Sequence, residues 1–75
     1  MRENKQSKVY TIEEFWGVAV SPLGEFLNVT FMERSDQTND EISDSFKKRY
    51  QGYILVDCGR GERPEFISRL PYANI

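Results

Sequence analysis

The chain has 75 residues, of which 39% are hydrophobic and 29% charged, and its net charge is −2. That composition describes one domain with a small core, too apolar to be a disordered chain and lacking the run of about 18 apolar residues that a transmembrane helix needs. It contains no histidine and a single cysteine, Cys58, which excludes the usual zinc sites, a Ser–His–Asp triad and a Cys–His dyad within one chain.

The opening MRENKQSK is charged and has no apolar stretch, so it does not read as a signal peptide. Residues 1–7 read as a flexible polar tail. Cys58 cannot form an internal disulfide, and these features together point to a reducing cytoplasm. Order begins at Val9. In TIEEFWG, Thr11 and Glu14 have capping-box spacing and Gly17 suits a helix end. An extended segment from Val9 to Val20 fits equally well.

GVAV, SPLG and EFLNVTFME read as a β-hairpin. Pro22 presets φ for the second position of a turn, and Gly24 suits the fourth. Leu27, Val29 and Phe31 alternate with Asn28, Thr30 and Met32, the period of a strand with one buried face. Val18 and Val20 are expected to join that inner face, and the strand to end near Arg34. Phe26 and Met32 then fall on the outer face.

Thr38 and Glu41 form a second capping box. Asp40, Glu41 and Asp44 lie near the start of the segment and Lys47, Lys48 and Arg49 near its end, which complements a helix dipole. Ile42, Phe46 and Tyr50 make one apolar stripe, and Gly52 is the expected stop. The pattern predicts a helix over residues 39–51. YILVDC follows as a strand, Tyr53 to Cys58, apolar on both sides as far as Val56 and therefore suited to the centre of a sheet. GRGER is a loop. PEFISRL fits a short helix opened by Pro64 or an edge strand, and Pro71 stops either one.

The fold class expected is α+β: a small three- or four-stranded, mainly antiparallel sheet packed by one principal helix at about residues 39–51. A small all-β barrel with one inserted helix is the runner-up.

Chemistry-bearing residues are sparse. Cys58 precedes a glycine-rich loop with arginines, but Arg63 follows in a Cys-x4-Arg spacing, one residue short of the phosphate-cradling Cys-x5-Arg loop. A buried, inert thiol at a strand end explains Cys58. Glu13 and Glu14 are adjacent in sequence and so point apart, which makes a poor acid–base pair. Asp36, Asp40, Glu41 and Asp44 lack the spacing of a calcium loop. The sequon Asn28-Val29-Thr30 lies within a strand. No catalytic residue, metal or cofactor is implied.

Charge is distributed unevenly. From Val9 to Phe46 there are eight acidic residues and one base, Arg34; from Lys47 onward there are six basic and three acidic. These observations point to a small non-enzymatic cytoplasmic protein that binds another protein, as an inhibitor or adaptor. Compact acidic chains of this size are frequent among bacteriophage accessory proteins, an analogy of size and composition. The contact residues expected are Asp36, Asp40, Glu41 and Asp44, Arg60 and Arg63 on the glycine loop, and Phe26 and Met32 on the outer face. Self-association through the same apolar groups is an equal alternative to a foreign partner.

A nucleic-acid module using Lys47, Lys48, Arg49, Tyr53 and Arg60 is the second reading. QGYILVDC matches the RNA-recognition octamer only at Gly52, Tyr53 and Val56, and the pI of about 5.0 disfavours phosphate-driven binding. An acidic nucleic-acid mimic is the third. No membrane partner is expected.

Overall fold

The computed structural model describes residues 9–73. The expected tail, residues 1–7, lies outside the described residues. The elements run β1 (Ile12–Val20), β2 (Phe26–Arg34), α1 (Asn39–Arg49), β3 (Ile54–Arg60) and α2 (Glu65–Ser68). The three strands form one open antiparallel sheet in the order β2-β1-β3. This is the α+β class expected, with α1 as its principal helix, and the barrel alternative does not form.

TIEEFWG is strand. Thr11 does not cap a helix: its hydroxyl donates to Glu13 and its amide to the Ser35 hydroxyl. The hairpin turn forms as expected. The Gly24 amide donates to the Ser21 carbonyl at 2.9 Å, and the buried Ser21 hydroxyl accepts the amides of Leu23 and Glu25. This turn sets the register, pairing Phe15 with Phe31, Gly17 with Val29 and Ala19 with Leu27. Antiparallel partners share a face. Val18 is therefore paired with Asn28 and Val20 with Phe26, on the face opposite Leu27. That corrects the expectation that the two valines join the inner face, because a one-residue offset inverts every side chain.

The main core lies on the α1 side. Phe15, Ala19, Val29, Phe31, Ile42, Phe46 and Leu55 form one buried cluster, with Tyr50, Tyr53 and Cys58 packed at its margin. Phe31 stacks on Phe15 and takes the edge of Phe46. The capping box of α1 forms with both of its hydrogen bonds. The helix ends at Arg49 rather than Gln51, capped by Tyr50. Gly52 follows at φ 90°, a left-handed conformation that a side chain would strain, and a Cβ there would meet Pro22 at 2.9 Å. The end of α1 thus rests against the hairpin turn.

β3 runs from Ile54 to Arg60 and is an edge strand, not the central one; β1 holds the centre. The apolar run misled because Ile54 and Val56 are exposed. Between Val18 and Ala19 the register slips, leaving Val56 as the extra residue of a β-bulge. A Cβ on Gly59 would come within 2.5 Å of the Trp16 indole, so this glycine lets the ring lie flat against β3.

After β3 the chain crosses the second face of the sheet. Pro64 precedes α2 as its cap residue, and the helical option for PEFISRL is realised over Glu65–Ser68. Arg63 reaches the Thr30 hydroxyl, the Val29 carbonyl and the Tyr72 hydroxyl. The Asn28 amide donates to Pro71 (2.7 Å), and the Ala73 amide donates to Asn28 (2.8 Å). Residues 61–73 therefore start beside β3, pass over β1 and finish on the outer edge of β2. Ile67, Asn28 and Val18 are buried outside the main cluster, on this side.

Candidate protein-binding surface

The acidic residues singled out from the sequence do not form one cluster. Asp36 accepts from Arg34 through both carboxylate oxygens, at 3.0 and 2.7 Å. That hydrogen bond, against the opposing effect of burial, holds the Arg34 guanidinium above its usual pKa, and the guanidinium also sits 4.2 Å from the centre of the Tyr10 ring. Glu41 closes the helix cap. Asp44 and Asp40 are exposed on different flanks of α1. Asp44 borders a shallow cleft with Gln37, Glu41 and Lys48, whereas Asp40 borders the cleft beside β3.

Among the basic residues, Arg49 donates to Glu33 at 2.6 Å, and the Ser45 hydroxyl donates to the same buried carboxylate. Arg60 lies 3.4 Å from the Glu13 carboxylate, donates to the Ser35 carbonyl at 2.6 Å and covers the Phe15 ring. These pairs join the acidic first half of the sequence to the basic second half, so the asymmetry along the chain becomes a mixed surface. Lys47 and Lys48 are exposed, while Tyr53 packs against the core. Arg63 is the brace described above. It stands on the opposite side of the sheet from Cys58, whose cross-strand partner is Gly17 on the α1 side. Burial, then the nearby Asp57 charge, push the Cys58 thiol pKa up.

The apolar residues are arranged differently. Phe26 and Met32 share the outer face as expected, but lie at opposite ends of β2. Phe26 pairs with Val20, which pairs with Ile54, giving a cross-strand row at the hairpin-turn end. Phe26 is 55% exposed and Ile54 57%; Leu23, in the turn, is 87% exposed. Val56 adds a further exposed side chain at the bulge. Leu23, Ile54 and Val56 were not singled out from the sequence. The signal for Ile54 and Val56 was the two-sided apolar run in β3, which reads the same for a buried central strand and for an exposed sticky edge; Leu23 lies in the turn, where the sequence marks only the turn itself.

Among the described residues, no group of three or more cysteine, aspartate or glutamate side chains is arranged to hold a metal ion, and no helix is long and apolar enough to cross a membrane. Compared with known proteins, the chain matches no family model, no curated protein and no solved structure.

Proposed function

We propose that this chain works by contact, binding another protein through the hairpin-turn end of its sheet and acting as an inhibitor or adaptor. The supporting observation is the cross-strand row of Phe26, half-buried Val20 and Ile54, flanked by Leu23 and Val56, in which Phe26, Ile54, Leu23 and Val56 leave large apolar side chains in water at the hairpin-turn end of the sheet. Grouped exposed apolar surface marks interaction sites, and Phe26, at the β2 end of the row, brings its largest apolar side chain. The mechanism is occlusion: the partner's surface is covered, with no bond made or broken. The unpaired thiol and the small charged fold suit a reducing cytoplasm, and a bacteriophage accessory role fits the size. Nucleic acid ranks below protein as the ligand, because Arg49 and Arg60 are held in internal ion pairs.

The test is retention of a partner from extract of the native cell by tagged wild-type chain and by a Leu23→Ser/Phe26→Ser double variant. Both side chains are exposed, so the fold should survive, as circular dichroism and melting would verify. The expected result is a protein retained by the wild type and lost from the variant. Equal retention by both, or retention of nucleic acid alone, would overturn the reading.

A further inference from the structure

The outer edge of β3 and the adjoining flank of α1 enclose a second feature. The two elements pack together, and between them lies a cleft of about 270 Å³. Asn39, Asp40 and Ser43 line it from the helix, and residues 55–58 from the strand. β3 pairs with β1 on one side, and on the other no strand pairs with it among the described residues. The cleft is thus a strand edge with a helix beside it, an arrangement able to accept one more strand.

We propose that this cleft receives an extended segment of a partner protein carrying lysine or arginine, which adds to β3 as a further strand. The proposal rests on the reading that the chain binds another protein. Its specificity comes from the lining. Two carboxylates, Asp40 and Asp57, border the cleft and no cation does. Leu55 is apolar and buried, and Cys58 packs beside it at the core margin.

Along an added strand, alternate side chains face α1. A basic side chain there meets Asp40, and a small apolar one meets Leu55 and Cys58. The Cys58 amide donates to the Asp57 carboxylate at 2.9 Å. An incoming backbone carbonyl takes over that amide and releases the Asp57 carboxylate to an incoming ammonium or guanidinium group. The bulge at Val56 interrupts the edge, so pairing centres on Asp57 and Cys58. A second copy of this chain suits the cleft poorly, because edge-to-edge pairing would double the carboxylates along one seam.

The test uses the full chain, isotope-labelled for NMR, and as the probe a capped octapeptide Lys-Lys-Val-Val-Lys-Lys-Val-Val, which presents both residue types on each face of an extended strand. Two comparison peptides accompany it, one with glutamate in place of lysine and one N-methylated at alternate residues. The lysine peptide is expected to shift the amide signals of residues 54–60 and 39–43 saturably, and the comparison peptides to leave them in place. Asp40→Asn and Asp57→Asn should each weaken binding by about two- to fivefold, the range of exposed ion pairs. Equal binding of the glutamate peptide, absence of shifts in β3, or indifference to Asp40→Asn would overturn the proposal. So would a dimer in sedimentation that protects the β3 amides from exchange, since the occupant would then be a second copy. Leu23 and Phe26 lie outside the cleft. If the peptide fails while partner capture still depends on those two residues, this proposal falls and the binding function stands. If the peptide binds as expected but capture ignores them, the apolar end is the reading that falls.

Discussion

The two outer edges of the sheet are treated in opposite ways. At β2, Asn28 exchanges backbone hydrogen bonds with Pro71 and Ala73, Tyr72 forms a parallel bridge, and Arg63 ties the same strand to Tyr72. At β3, the Asp57 side chain holds the Cys58 amide, and a bulge bends the strand. An unpaired edge invites association, and proteins usually blunt it with charge, bulges or a covering segment. Here the covering segment protects one edge, while the other keeps two partial defences and its exposed isoleucine and valine. The contrast teaches that residues 61–73 serve mainly to close β2, which makes the open edge of β3 the more informative one for function.

The largest expected effect comes from breaking the closed edge. Ile67 is almost fully buried on α2, and Ile67→Ala removes the apolar anchor of the crossing segment. Denaturant unfolding should show a loss of about 2–4 kcal/mol. Hydrogen exchange should accelerate at the Asn28 amide more than at the amides of β3. Uniform acceleration would mean that the segment and the sheet unfold as one unit.

A smaller effect of opposite sign is expected at Asn28. Its side chain is 0% exposed and neither amide atom has a hydrogen-bonding partner among the described residues. An unsatisfied buried polar group opposes folding, so Asn28→Leu should raise stability by about 1 kcal/mol in the same unfolding measurement. A loss instead would mean that the cavity cannot take the leucine shape.

The smallest effect belongs to the open edge. Because burial raises the Cys58 thiol pKa in the folded state, the unfolded chain releases that proton first as pH rises. The associated stability is complete below the unfolded thiol pKa and is lost as pH climbs through the folded one. Wild type should therefore lose slightly more stability than Cys58→Ala between neutral pH and the alkaline thiol range. Parallel pH profiles for the two chains would contradict the shift.

Much of the fold was legible because its signals are local. The Thr38–Glu41 box, the Ile42–Phe46–Tyr50 stripe and the Ser21–Gly24 turn each act within a few residues, and each forms as read. Thr11 with Glu14 carried the same spacing and failed, because residues 12–20 are taken up by strands on both sides and the packing of a central strand outweighs a single cap. The candidate site was less legible. The acidic residues near α1 read as one surface, yet Asp36 turns to Arg34 and Glu41 to the cap, leaving Asp40 and Asp44 on separate flanks. Ile54 and Val56 were hidden by a pattern that central and edge strands share.

By itself the sequence determined that one helix follows a hairpin, where that helix begins, and that imidazole and paired thiols are missing from the chemistry. Only the tertiary structure decided that β3 stands at the edge, that Val18 and Val20 face away from α1, and that the two differently charged halves interlock through Glu33–Arg49 and Glu13–Arg60. The physical reason is range. Caps, turns and dipoles are settled by neighbours along the chain, whereas strand order, face and salt-bridge partners depend on which distant segments gain most by packing together.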